Sequence, residues 1–367
     1  MGVRSTNKAN YGPRWESLNT YFHNGHMGEF FNTQMRAGKG TEPVTGPFDT
    51  TGGTKFTYGG KTIHAFTSPG TMSCSGQGSA VLTYFIIAGG GGGGIGDSRG
   101  GGGGGAGGYH TGNTPQAIAG GDTSFPVVIG AGGNGGTWPA PFGRGGFGED
   151  TVVEFPTGTI RAGGGGFGGS SPGGYRAGGP GGSSGGACGP NNNTGVTANQ
   201  WTPISPVYPS PWSGGTGNSG AAVSGGDGGG GGGGAGGNAG WGGGEPKNWG
   251  GFGGAGVQLP TVFRDPTNPY GEPGPNSEDF WVGGGGGGAS STGNGPNAGG
   301  GGGGPHGGGN KWAGAGIGHN AGGSNYPKMT AAANTGSGGG GWNTEGNTGP
   351  NVNAGGSGLV LIAYTPA

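Results

Sequence analysis

The chain has 367 residues, of which 116 are glycine and 27 proline, with 15 Lys and Arg against 16 Asp and Glu for a net charge of −1. That balance leaves no basic stripe for a phosphate backbone, so no nucleic-acid partner is expected. So much glycine and proline usually marks disorder, but disordered chains pair low hydrophobicity with high net charge and few aromatics, whereas here aromatics make up 9% and charged residues only 8%.

Residues 1–45 form the first expected unit. They hold few glycine pairs but many aromatics, including Tyr11, Trp15, Tyr21, Phe22, Phe30 and Phe31, with basic residues between them. Trp15, Leu18 and Phe22 have helical spacing, which Gly25 and Gly28 interrupt, so one short helix at most is expected. Trp15, Tyr21, Phe22, Phe30 and Phe31 are candidate residues of an arm that docks onto another protein. His23, His26 and Glu29 have the residue types of a metal site but read as polar surface, and no metal is expected. The first thirty residues lack the layout of a secretory leader, and no stretch reaches ~18 apolar residues, so no membrane insertion is expected.

Residues 46–367 form the second unit. Runs rich in β-branched and aromatic residues predict strands at 55–58, 61–67, 80–88, 125–130, 151–155, 159–162, 280–282 and 358–364. Gly59-Gly60 between two of them predicts a hairpin, because the turn needs positive φ. In Val81-Leu82-Thr83-Tyr84-Phe85-Ile86-Ile87 and Leu359-Val360-Leu361-Ile362-Ala363-Tyr364 both alternating faces are apolar, so both segments should be covered on two sides. These two are expected to pair or lie side by side, although they are far apart in the chain.

Between the strands lie glycine blocks at 89–94, 100–105, 163–166, 228–234, 283–288, 299–304 and 338–341. A polyproline-II-like rise of about 3.1 Å per residue gives a six-residue block a length of roughly 19 Å, and the repeated length suggests a layer of constant thickness. Collagen is excluded, since uninterrupted glycine has no X and Y positions. A left-handed threefold helix makes no internal hydrogen bonds, so its N–H and C=O groups point outward in three directions, where neighbouring helices can pair with them. Such packing leaves no room for a Cβ, and non-glycine residues are expected at block ends, as at Ile95, Asp97, Ser98 and Arg99. The expected fold is all-β with polyglycine-II helices: a β-sandwich or jelly-roll-like framework carrying a packed glycine-helix bundle, with little α-helix.

The chemical motifs carry little. GxGxxG matches recur throughout so glycine-rich a chain and say nothing about nucleotides. Gly59-Gly60-Lys61-Thr62 lacks the earlier glycine of a phosphate loop, and Gly181-Gly182-Ser183-Ser184-Gly185 lacks the strand-to-helix setting of a nucleophile elbow. Cys74 and Cys188 lie outside any CxxC pattern and are expected as free thiols, without a metal or redox centre. No catalytic residue, enzyme activity or cofactor is expected. The candidate binding residues are loop aromatics: Trp138, Trp201, Tyr208, Trp212, Trp241, Trp249, Trp312 and Tyr326. They either stack on a ligand or provide the hydrophobic cover that glycine backbones lack.

Gly52-Gly53, Phe56-Thr57-Tyr58-Gly59-Gly60-Lys61-Thr62-Ile63-His64-Ala65-Phe66, Thr71, Tyr84-Phe85-Ile86-Ile87-Ala88 with the glycines that follow, and Gly355-Gly356-Ser357-Gly358-Leu359-Val360-Leu361-Ile362-Ala363-Tyr364 together resemble the glycine-rich domain of bacteriophage tail-fibre and virion proteins. The resemblance covers about residues 50–365, with specific motifs only at its two ends. It implies polyglycine-type helices on a β framework, as in phage fibre-tip adhesins. A related layer occurs in certain receptor tyrosine kinases, but this chain lacks their EGF-like cysteines, membrane span and kinase. The function implied is a virion structural protein of a fibre tip, capsid fibre or surface decoration, located at the particle surface. Residues 1–45 would contact other virion proteins, and a symmetric homo-oligomer such as a trimer is expected. A dedicated adhesin for host glycan or outer-membrane protein is the alternative, with a matrix or ice-binding protein behind it.

Overall fold

In the computed structural model, residues 48–366 are described apart from 77, 98, 115–117, 120–122, 138–143, 172–175, 190–226, 241–247, 276–277, 292–300, 303–310, 320–328 and 345–352. The chain divides into Met1–Gly46 and Pro47–Ala367, and every described residue belongs to the second unit. The expected arm and its aromatics therefore lie outside the described residues. The fold is all-β: antiparallel sheets dominate, and no α-helix occurs among the described residues. Short 3-10 turns occur at Thr261–Phe263 and Trp312–Gly314.

The strands are β1 (Asp49–Thr51), β2 (Thr54–Tyr58), β3 (Lys61–Phe66), β4 (Gly70–Ser75), β5 (Ser79–Ala80), β6 (Thr83–Ile87), β7 (Ile95–Gly96), β8 (Tyr109–Asn113), β9 (Ile118–Ala119), β10 (Thr123–Val128), β11 (Thr151–Phe155), β12 (Gly158–Ala162), β13 (Val257–Gln258), β14 (Trp281–Val282), β15 (Trp342–Asn343) and β16 (Leu359–Tyr364). Two five-stranded sheets result, in the orders β1-β4-β10-β11-β12 and β2-β3-β16-β6-β8. β16 is central in the second, pairing antiparallel with β3 on one side and β6 on the other, as in Ile362 opposite His64 and Tyr84. The pairing of the two long apolar segments is thus observed.

The strand period of two sorts their side chains. Phe66, Ile86, Val360, Ile362 and Tyr364 face the first sheet and pack with Met72, Cys74, Phe125, Val127, Val153 and Phe155. Ile63, Ala65, Phe85, Ile87, Leu359, Leu361 and Ala363 face the other way, where Leu259, Phe263 and Val282 cover them. Every side chain of β16 is buried, and each Val, Leu or Ile contributes roughly 1.5–3 kcal/mol.

Two strand expectations need correction. Segment 80–88 is not one strand: β5 pairs with β9 and β6 with β16 and β8, and between them Val81 is exposed while Leu82 turns into the core. Leu82 is held there by Thr114, whose N–H donates to the Leu82 carbonyl at 2.8 Å. β4 went unexpected because Gly70-Thr71-Met72-Ser73-Cys74-Ser75 has no β-branched run, yet Met72 and Cys74 alternate into the core. The Gly59-Gly60 hairpin is present, with φ of +57° and +74°.

The glycine segments continue directly from these strands. β6 runs on into 88–94, segment 100–108 leads into β8, β10 leads into 130–136, β12 into 163–171, β14 into 283–291, and segment 353–358 returns into β16. The layer is therefore rooted in the sandwich at many points.

Candidate functional site

Within the layer, hydrogen bonding repeats every three residues. Ala88, Gly91 and Gly94 donate to the carbonyls of Gly108, Gly105 and Gly102; Gly89 and Gly92 to Glu149 and Gly146; Gly90 and Gly93 to Gly356 and Asn353, all at 2.8–3.1 Å. In return, Gly133 and Gly136 donate to Gly90 and Gly93, Gly165 and Gly168 to Gly89 and Gly92, and Gly339 and Trp342 to Gly91 and Gly94. Segment 88–94 is thus ringed by six others, three accepting from it and three donating to it. Segment 100–108 is ringed in the same way: it donates to 227–233, 336–342 and 163–169, and accepts from 88–94, 183–189 and 286–289.

This geometry explains why glycine is required. None of Gly89–Gly94 or Gly100–Gly105 has a positive φ, so their role is not conformational freedom. A Cβ on Gly103 would overlap the carbonyl of Gly286, and one on Gly104 that of Gly91, both well inside the 3.0 Å that real Cβ atoms keep. Each position is filled by a neighbour's backbone, whose N–H and C=O groups are in turn satisfied.

Side chains enter the layer where a third direction faces outward. Ala131, Asn134 and Thr137 are exposed between more buried glycines, and Trp249, Phe252 and Ala255 are half-buried at the same spacing. Phe167 lies in the middle of segment 163–171, its ring 4.8 Å from Phe147 and 5.0 Å beneath the Arg144 guanidinium. The expectation that non-glycine residues keep to block ends is corrected here, since a residue at every third position can clear the lattice. Arg144, Phe147 and Phe167 were not among the candidate residues, although the three-residue spacings Arg144-Gly-Gly-Phe147 and Phe167-Gly-Gly-Ser170 carry the signal.

The end of the layer away from the sandwich forms the candidate site. The chain reverses there between Ile95 and Gly100, and small polar groups satisfy what the lattice leaves over. Ile95 N–H donates to Ser170 Oγ at 2.8 Å, Asp97 N–H to Ser171 Oγ at 2.7 Å, and Asn353 Nδ2 to Gly93 O at 2.9 Å. Asn343 Nδ2 donates to Ser290 O at 2.9 Å, and Ser290 Oγ to Asn248 O at 3.0 Å. Ile95, Met329 and Trp342 form a small apolar plug beneath. Gly189 donates to Gly100 and Gly100 to Asp227, so the two residues that flank 190–226 meet at one glycine. Arg99 and Asp227 pair loosely at 4.0 Å, both partly solvated.

Of the candidate aromatics, Trp249 lies half-buried on the outward line just described and Trp312 half-buried at its 3-10 turn. Trp138, Trp201, Tyr208, Trp212, Trp241 and Tyr326 lie outside the described residues. Ser183 and Ser184 are wholly buried layer backbone, with Ser183 N–H donating to Ala106 O at 2.9 Å. Lys61 sits in the hairpin and donates to Thr365 Oγ1 at 3.1 Å. Both cysteines are free and buried; burial pushes the Cys74 thiol up to about 11 and Cys188 up to about 12, which keeps them protonated. No group of three His, Cys, Asp or Glu side chains able to hold a metal occurs among the described residues, and no helix among them is long and apolar enough to cross a membrane. Neither a protein-family model nor a curated protein matches the chain.

Proposed function

We propose that the protein is a non-enzymatic structural component of a bacteriophage particle, in which polyglycine-II helices packed on a jelly-roll-like sandwich serve as a rigid pedestal. The observation that carries this reading is the three-residue hydrogen-bond period around segment 88–94, with six neighbours and no space for a Cβ. A backbone lattice of this kind gives stiffness and a fixed height, which suits a fibre tip or surface decoration better than a solvent-exposed tether. Residues 1–45 are assigned to docking on other virion proteins, and the assembly to a symmetric homo-oligomer such as a trimer.

Purified particles analysed by peptide mass spectrometry and by labelling of a tag at the C-terminus should contain the chain at the surface. Particles that lack it would remove the virion reading. A crystal structure with segment 88–94 in ordinary β or α backbone angles would remove the helix assignment.

The meeting of Gly189 and Asp227 at Gly100 favours a second reading, an adhesin whose 190–226 insertion contacts host glycan or outer-membrane protein. Trp201→Ala with Trp212→Ala separates the two. Unchanged adsorption with intact assembly supports the scaffold, and lost adsorption with intact assembly supports the adhesin.

A further inference from the structure

His64 is wholly buried between the two sheets, where an imidazolium would have little solvent. Its Nδ1 lies 2.6 Å from the Gly52 carbonyl and its Nε2 2.7 Å from Thr50 Oγ1. Thr50 Oγ1 is also 2.8 Å from the Tyr364 hydroxyl. The chain of bonds therefore joins β1 to β3 and β16, across the gap between the sheets.

The proton count is constrained. A carbonyl can only accept, so Nδ1 carries the proton of the neutral ring. Nε2 then accepts from the Thr50 hydroxyl, whose oxygen is left to accept from Tyr364. A second proton turns Nε2 into a donor, so three protons share two contacts, and the hydroxyl proton of either Thr50 or Tyr364 loses its acceptor on a side chain no more than 2% exposed. Charge and an unpaired hydroxyl thus arise together. The ionisable groups around the ring offer little relief. Lys55 on β2 repels the charge, Asp49 on β1 is committed to Lys55 at 2.6 Å, and Cys74, opposite Thr50 on β4, stays a neutral thiol.

We propose that Thr50, His64 and Tyr364 form an acid-operated latch, which holds β1 across the sandwich at neutral pH and releases it when His64 is protonated. β1 is the element that yields because it is a three-residue edge strand whose ladder pairing is with β4 alone, supplemented at the surface by Lys55 on Asp49 and the Thr50 carbonyl, whereas β3 lies between two five-residue ladders. Burial, the largest cause, holds the His64 imidazole below its ordinary 6.5; the Gly52 hydrogen bond opposes this, Lys55 adds to it and Asp49 opposes it. The unfolded or released chain therefore binds the proton first. The latch is complete above 6.5 and weakens as pH falls through the folded-state value.

Amide exchange at Thr51, whose partner on β4 is Ser73, corrected for intrinsic rates, tests this between about pH 7.5 and about pH 5, which bracket the free imidazole. Protection of β1 should fall by about tenfold or more over that range, with the β3–β16–β6 ladder unchanged and with no fall in His64→Gln. An equal fall in His64→Gln, no fall in the wild type, or opening of the whole sheet would overturn the proposal. Asp49 does not confuse the result, because its hydrogen bond from Lys55 holds its carboxyl below 3.8. Should His64→Gln fail to fold, an NMR titration of the wild-type imidazole decides. Its midpoint must coincide with that of β1 opening, and separate midpoints reject the latch.

Discussion

The sandwich and the glycine layer solve the same problem with opposite materials. In the sandwich, backbones stand apart and side chains fill the space with a period of two, so the residues that matter are Leu361, Ile362 and Phe85. In the layer, backbones fill the space themselves with a period of three, and a side chain is the obstacle. Glycine has a different meaning in each region. Gly60 is glycine because its φ is +74°, and nothing lies within 4 Å of a Cβ built there. Gly103 has an ordinary φ and no room at all.

That contrast can be broken most directly by adding one methyl group. Gly103→Ala should cost about 4 kcal/mol or more, or prevent soluble expression, because the overlap is with backbone on two neighbouring segments, Gly286 and Gly232, that cannot rotate away. Thermal unfolding that shows less than about 1 kcal/mol, the scale of an ordinary surface change, would mean the layer has slack. Leu361→Ala, which empties a position 1% exposed, should cost about 3 kcal/mol in denaturant unfolding. Gly60→Ala should cost only about 1 kcal/mol, the penalty of a positive φ in open space. A reversed order between Gly60 and Gly103 would contradict the distinction drawn above.

The two thiols sharpen the comparison without altering the protein. Cys74 reports on the sandwich and Cys188 on the layer, and neither should react with a thiol reagent in the native state. Because strands run directly into glycine segments, both should become reactive at the same denaturant concentration. Labelling of Cys74 well before Cys188 would show that the layer stands without its root.

Much of the sandwich was legible in the sequence because its signals are side chains. The two-faced apolar pattern of β16 and β6 gave both their burial and their pairing, and Gly59-Gly60 gave the hairpin. β4 was illegible because serine, threonine and glycine conceal a strand whose alternation rests on Met72 and Cys74. In the layer, runs of glycine showed that something ordered was there but not which segment lies beside which. That information resides in backbone hydrogen bonds, which leave no residue preference beyond glycine itself. The edges are legible in principle, since Trp249, Phe252 and Ala255 keep the three-residue spacing, but that spacing is a weaker signal than uninterrupted glycine. Of the candidate aromatics, Trp249 and Trp312 can be placed.

The six-neighbour packing also has a thermal consequence. Unfolding a sandwich exposes apolar surface, which raises the heat capacity, whereas unfolding a lattice of glycine exposes mainly peptide groups, whose hydration lowers it. Per residue, the layer therefore carries a smaller heat-capacity change than the sheets to which it is joined. The stability curve of the whole domain flattens accordingly, and the fold holds a nearly even margin over a wider span of temperature than a sandwich of the same length.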